Sequence, residues 1–389
     1  MNVQVARSLS FKGPDGQEDM PYLLTPGPLT TSQTVKLALL ADWGSRDTEF
    51  RQVVKEIRAE LLRLAGCDDS YECVIMQGSG TFAIEAALGC FAPAKRNKTL
   101  VVANGAYGER AAQILTRIGR NHVLVSKSDT TQLVVPHITE ALDADRNISH
   151  IWLIHCETTS GIVNPLGDLA RAAKQNDKIL MVDAMSSLGG IHINMVRDGI
   201  DVLVSSSNKC IEGIPGFSYV LVKRDLLVAS KDQCHSVVLD LFEQWKGLEA
   251  NGQFRFTPPT HALVAFRQAL RELESEGGVG ARSARYQRNA ATLIKGLGEI
   301  GILPLLGNNE AGPIIQTFLC PADPNFKFET FYDALRARGF AIYPGKLTKR
   351  DSFRIGTIGK LDSEVMERVV IAIKDVLKDM NVKDMAPVA

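Results

Sequence analysis

Between about residues 50 and 225 the chain alternates short apolar runs with longer stretches whose apolar residues recur at threes and fours. The runs are CVIM (73–76), LVVA (100–103), VLVS (123–126), IWLIHC (151–156), ILMV (179–182) and VLVS (202–205). Short runs without polar alternation are the mark of strands covered on both faces. Segments between them, such as TFAIEAALGCF (81–91) and LGDLARAAKQN (166–176), carry the helical period. This alternation predicts an α/β domain, a mainly parallel sheet wrapped by helices through right-handed crossovers. FSYVLVKR (217–224) breaks the rhythm. The loop before it is too short for a helical crossover, so this strand is expected to join antiparallel.

After Pro258 and Pro259 the texture changes. Two helical stretches, at about 261–276 and 284–300, precede PIIQTFLC, FETFYDALRARGF, FRIG and a last helix around VMERVVIAIKDVLKD. These predict a smaller α+β domain. The division read from the chain is a polar extension (1–20), an N-terminal segment (21–50), a large domain (51–260) and a small C-terminal domain (261–389). No repeat or low-complexity tract interrupts it.

Composition narrows the classes of function. The 389 residues hold 44 Lys plus Arg against 44 Asp plus Glu, with 45% hydrophobic residues. A balanced charge gives no global attraction to nucleic acid or to acidic membrane surfaces, so neither partner is expected. Seven scattered cysteines without a C-x-x-C pair indicate neither a disulfide framework nor a zinc knuckle. The N-terminal stretch MNVQVARSLSFKGPDGQEDM lacks the apolar core of a signal peptide, no segment approaches the length of a membrane span, and a cytoplasmic location is expected.

Common nucleotide and metal fingerprints fail. Gly78-Ser79-Gly80 lacks the third glycine of the dinucleotide motif. Residues 339–347 have five residues between glycines, not four, and no Ser or Thr after Lys346, so they form no P-loop. No H-E-x-x-H occurs, and no protein metal site is expected.

What remains is a set of polar residues, each just beyond a predicted strand. In an open α/β sheet the ligand lies outside the carboxyl ends of the strands, so such residues converge in space. Gln77-Gly78-Ser79-Gly80-Thr81 opens a helix, and its free N–H groups suit a phosphate. Taken alone, a glycine-rich helix cap is the ordinary explanation. Asp183 ends ILMV, where a carboxylate in apolar surroundings needs a cation or several donors. A salt bridge is the default there. Lys209 follows VLVSSS, and one isolated lysine is usually a solvated surface residue. Together the three change the odds. An anion site, an acid to hold a protonated pyridine nitrogen and a lysine to bond an aldehyde are what pyridoxal 5'-phosphate asks of a protein. Tyr107, in GAYG after LVVA, can lay its ring on the pyridine or merely pack in its loop. Thr158, after IWLIHCE, can offer a hydroxyl to the ring oxygen.

Here the sequence resembles a known family. LLTPGPLTTS, QGSGTFAIEAAL, NGAYGER, HCETTSGIVNPLG, VDAMSSLGG, SSNKCIEGIPGF, RFTPPTH, YPGKLT and FRIGTIG are similar to segments of the 2-aminoethylphosphonate:pyruvate aminotransferases, within the fold-type I, class V aminotransferases. The resemblance spans about residues 22–378. It implies a large, mainly parallel seven-stranded sheet domain with a smaller C-terminal α+β domain, and a homodimer with shared sites. It implies that Lys209 bonds the cofactor, Asp183 holds the pyridine nitrogen and Tyr107 stacks on the ring. Ser79, Gly80 and Thr81 would cradle the phosphate, with Ser207 beside them. Thr257 would reach the phosphate of the neighbouring subunit. Arg354 would bind the acidic group of the substrate, and Gly27, in segment 21–50, would line the entrance. A guanidinium fork can hold a phosphonate or a carboxylate, so one arginine can serve both halves of a transamination. The same cofactor site also belongs to alanine or serine:glyoxylate aminotransferases, and a silent ligand-binding protein on this fold is a further alternative. A cysteine desulfurase is disfavoured, because Tyr107 stands where a histidine usually stacks. Glu212 and the SYV after Gly216-Phe217 depart from the family pattern.

Overall fold

A computed structural model describes residues 20–307, 310–345 and 350–387. The polar extension before Met20 and residues 346–348 of YPGKLT lie outside the described residues.

The strands run in chain order as β1 (Tyr22–Leu23), β2 (Tyr71–Gln77), β3 (Lys98–Ala103), β4 (His122–Ser126), β5 (Ile148–Ile154), β6 (Cys156–Glu157), β7 (Ile162–Val163), β8 (Ile179–Asp183), β9 (Val202–Ser206), β10 (Phe217–Lys223), β11 (Ile315–Leu319), β12 (Phe340–Ala341), β13 (Tyr343–Pro344) and β14 (Ser352–Gly356). Seven form the central sheet in the order β2-β10-β9-β8-β5-β3-β4. Only β10 is antiparallel to its neighbours, β2 and β9. The expected mainly parallel sheet with one reversed strand is present.

The apolar runs follow from burial on both faces. Along β5, Ile151 and Leu153 face one helical layer while Trp152 and Ile154 face the other. Cys73 and Ile75 alternate in the same way with Val74 and Met76 along β2. One layer includes the helices Thr48–Leu64, Leu166–Gln175 and Thr260–Glu276; the other includes Gly80–Phe91, Ala106–Arg117 and Leu241–Asn251. None of the described helices is long and apolar enough to cross a membrane.

The C-terminal layer holds the antiparallel sheet β11-β14-β13 and the helices Gly278–Glu299, Phe328–Ala337 and Ser363–Asp379, around Phe318, Phe331 and Phe353. Its first helix starts earlier than the sequence suggests, at Gly278 and not near residue 284. Gly277, at φ +108°, ends the preceding helix, and Glu276 then receives Nε of both Arg282 (2.6 Å) and Arg285 (2.8 Å). That clamp across the glycines holds the first turn, which propensity alone would not.

The first part of the N-terminal segment, residues 22–30, also belongs to this layer, while Val35 and Phe50 pack in the core of the large domain. β1 pairs with β12 in parallel, Gly356 N–H donates to Leu24 O (2.9 Å), and Lys360 N–H donates to Thr30 O (2.7 Å). Between these ties, residues 24–30 pass over the carboxyl ends of the central strands.

Candidate active site

The helix Gly80–Phe91 opens directly from β2. Gly78 turns the chain at φ +100°, and Ser79 is extended at the N-cap without making a side-chain cap bond. The first-turn amides therefore point outward with the positive end of the helix dipole behind them. A Cβ on Gly80 would stand 2.2 Å from Met185 Sδ, so only glycine leaves the floor of this turn open.

Asp183 closes β8 and is buried. One oxygen accepts the Met185 N–H at 2.8 Å. Burial pushes its pKa up to about 7; the Glu157 charge adds to the rise, while the Met185 amide, Lys209 and Arg110 oppose it. Lys209 lies three residues beyond β9, and its Nζ donates to Pro26 O at 2.8 Å. Burial brings the Lys209 amine down to about 8, against the pull of Cys210, Asp183 and Cys156. The turn after the lysine is held from several sides: Glu212 N–H donates to Lys209 O (2.8 Å), and Cys210 O accepts from Arg282 Nη1 (2.7 Å) and Tyr286 OH (3.2 Å). Glu212, at φ +65°, in turn pairs with Arg285 at 2.8 Å. This family departure is therefore a tie between the lysine turn and the C-terminal layer.

These groups share one cleft of about 240 Å³, lined by Ser79, Gly80, Thr81, Asp183 and Lys209 with Gly27, Tyr107 and Thr158. Gly27 sits at φ +118°, and a Cβ there would meet Asn208 O at 2.5 Å and Lys209 Cδ at 2.7 Å. Tyr107 opens the helix Ala106–Arg117 and carries the Arg110 guanidinium 4.8 Å from its ring centroid.

Three of the predicted residues stand elsewhere. Ser207 turns its hydroxyl to Ile214 O, leaving Ser206 and Asn208 to line the cleft. Thr257 is exposed on an outer loop, where the carbonyls of Phe256 (3.0 Å) and Thr257 (3.2 Å) accept from Gln77 Nε2. Arg354, on β14, lies behind Thr158. Its Nη1 donates to Thr158 O (2.7 Å), and Nε (3.1 Å) and Nη2 (2.8 Å) donate to Pro344 O. Burial lowers its pKa, though Tyr107, Tyr343 and Glu157 oppose that shift.

Residues 41–349 match the family Aminotransferase class-V. The chain belongs to that family. Among curated relatives of this class-V aminotransferase, the 2-aminoethylphosphonate–pyruvate transaminase of Rhizobium meliloti (strain 1021) is 50% identical over 370 residues, covering 95% of this chain and 96% of the relative. An enzyme of the same name from Bacillus cereus is 47% identical over 361 residues, covering 92% and 98%. Among solved structures, ureidoglycine-glyoxylate aminotransferase from Bacillus subtilis superposes with a TM-score of 0.85 at 21% identity, covering 96% and 97%. That likeness, and those to other aminotransferases of this kind, show the fold-type I architecture.

Two residues stand out beside those predicted, one lining the aminotransferase cleft and one behind its wall. Arg110 lines the cleft, one helical turn beyond Tyr107, and spacing by three inside NGAYGER was the signal. Glu157 is fully buried between Cys156 and Thr158. Its partners include the backbone amides of Tyr107, Gly108 and Thr159, so no residue type in the sequence signals its role.

Proposed function

We propose that this aminotransferase binds pyridoxal 5'-phosphate and transfers the amino group of 2-aminoethylphosphonate to pyruvate, giving phosphonoacetaldehyde and L-alanine. The observation that carries the reading is the convergence of Asp183, Lys209 and the uncapped helix start at Ser79–Thr81 on one cleft. The donor set fits the cofactor. Asp183 keeps one carboxylate oxygen free of the Met185 amide for a protonated pyridine nitrogen, and a helix N-terminus suits a phosphate. When bound, the cofactor supplies an electron sink that stabilises negative charge at the substrate carbon.

The chain's own groups do the rest. Lys209 is a primary amine with a lowered pKa, so near neutrality a useful fraction is unprotonated and able to take the proton from C1 of the substrate. Tyr107 offers an aromatic face and Thr158 a hydroxyl on the cleft wall. To Arg354, directly behind the cleft-lining Thr158, we assign the acidic group of either substrate, through the N–H groups that its bonds to Thr158 and Pro344 leave over. Gly27 keeps the entrance clear of Lys209.

The exposed Thr257, outside the cleft of its own chain, is in keeping with a homodimer in which it reaches the phosphate in a second copy, while Ser207 supports the lysine loop from behind. We read 51–260 as the cofactor-binding domain, 261–389 as the small domain and 21–50 as the entrance segment. A cytoplasmic location suits seven free thiols. The names of the relatives favour phosphonate over the serine or alanine:glyoxylate alternatives. The test is to incubate the purified protein with 2-aminoethylphosphonate and pyruvate and to follow alanine. Alanine that appears only when both are present supports the reading. Equal turnover of serine with glyoxylate overturns it.

A further inference from the structure

The helix that carries Tyr107 begins at Gly105, a residue with no side chain to cap it. Its first-turn amides are satisfied from a distant part of the chain. Glu157 Oε2 accepts the N–H of Tyr107 (3.1 Å) and, at a longer 3.4 Å, that of Gly108. Glu157 Oε1 accepts the N–H (3.0 Å) and the hydroxyl (2.6 Å) of Thr159, and Thr159 Oγ1 accepts the Ala106 N–H at 3.2 Å. Three consecutive amides at the start of the helix are thus gripped by one Glu157–Thr159 unit. Among the described residues Glu157 forms no ion pair, although it is fully buried. Burial raises its pKa, and the Thr159 hydroxyl and the amides of Thr159, Gly108 and Tyr107 offset that rise in part.

The grip has a back wall. Thr158 O, between the two gripping side chains, receives Arg354 Nη1 at 2.7 Å. A Cβ on Gly105 would stand 2.4 Å from Glu157 Cγ, so the close approach of this carboxylate depends on the missing local cap. The rest of the helix is anchored independently, by Ala111 and Leu115 in the core. Loss of the grip therefore frees the first turn and its tyrosine without unseating the helix.

We propose that Glu157 is a positioning residue, whose buried carboxylate, with Thr159, fixes the first helical turn and so sets the plane of the Tyr107 ring against the cofactor. The claim rests on the cofactor reading given above. It predicts that Glu157 acts through Tyr107 and not on its own. Glu157→Gln keeps an acceptor for Thr159 but removes the charge from the helix start.

The experiment is a double-mutant cycle read as pyridoxal 5'-phosphate affinity, by titration of the full-length apoprotein with the cofactor. Aligned aromatic contact is worth a few-fold to tenfold in binding, so Glu157→Gln should weaken the cofactor by about 3-fold to 10-fold. In a Tyr107→Ala background the same change should cost less than about 2-fold, because the interaction it serves is already gone. Thr159→Val, which leaves the carboxylate in place, should show the same dependence on Tyr107. Wild-type affinity in Glu157→Gln overturns the proposal, as does an equal loss in both backgrounds. Loss of a cooperative thermal transition in both Glu157→Gln and Thr159→Val makes the segment part of the framework and overturns it too. Failure of the wild-type protein to bind the cofactor strikes the functional reading instead.

Discussion

Asp183 makes the cleft costly to the fold, and Asp183→Asn should reveal how costly. Burial raises its pKa from an ordinary 3.8 to about 7, so the folded protein holds this proton across a window in which the unfolded chain has lost it. Stability therefore falls as pH rises through that window, because the native state binds more protons than the unfolded one. The window is about three pH units wide, and at roughly 1.4 kcal/mol per unit the full loss is about 4 kcal/mol. Asparagine has no proton to lose, so the variant should lack this slope. Lys209, lowered only to about 8, stays mostly protonated over the same window and does not mimic it. Urea unfolding of the two apoproteins, followed by circular dichroism from pH 4.5 to 7.5, measures the difference. The variant should gain on the wild type as pH rises, by at least about 2 kcal/mol even where water and relaxation soften the burial. At the same time its transamination rate should fall about 100-fold or more, since a preorganised charge is lost. Parallel stability curves, or a wild type that gains on the variant with rising pH, would refute the reasoning.

Lys209→Ala should abolish transamination by several orders of magnitude, and borohydride reduction of the cofactor-loaded wild type should tag Lys209 and no other lysine by peptide mass. Arg354→Ala should impair both half-reactions by about 30-fold to 1000-fold in single-turnover measurements, the loss of a charge-assisted contact; impairment of the pyruvate half alone would mean the phosphonate is held elsewhere. Gly80→Ala drives Met185 Sδ, 2.2 Å from the added carbon, toward the cleft. Because that side chain can swing, cofactor affinity should fall while the unfolding midpoint shifts little; a large stability loss with normal affinity would contradict this.

Much of the architecture was legible because burial on both faces leaves an unambiguous trace. Ile151 to Ile154 are apolar at every step since helices cover both sides, and β10 is antiparallel because its connection is too short for anything else. Strand ends also announced Asp183, Lys209 and Ser79. Legibility stopped where rotamer or register decides the role. Ser205, Ser206 and Ser207 offer three hydroxyls in a row, and which one faces the cleft depends on the register of β9 against β10, so Ser206 lines it while Ser207 bonds Ile214. Glu157 was hidden because its partners are the backbone amides of a helix that begins some fifty residues earlier, and amides leave no mark in a sequence. The early start of the helix at Gly278 depends on the reach of Arg282 and Arg285, which no local propensity records.

The tie between residues 22–30 and the C-terminal layer gives the cleft an unusual vulnerability. The wall that touches Lys209 through Pro26 O is attached to β12 and β14, and to none of the seven strands of the large sheet. Its attachments are two residue pairs of a parallel ladder, a few single bonds and the packing of Tyr22, Leu24 and Leu29, against five or more pairs along β3, β5 and β10. Peeling this strap costs less than global unfolding, because it breaks no ladder of the central sheet. In hydrogen exchange the amides of Leu24, Gly356 and Lys360 should open well before those of β5 and β8. The buried Lys209 amine is thus closed in by a strap that can open while the large sheet stays intact.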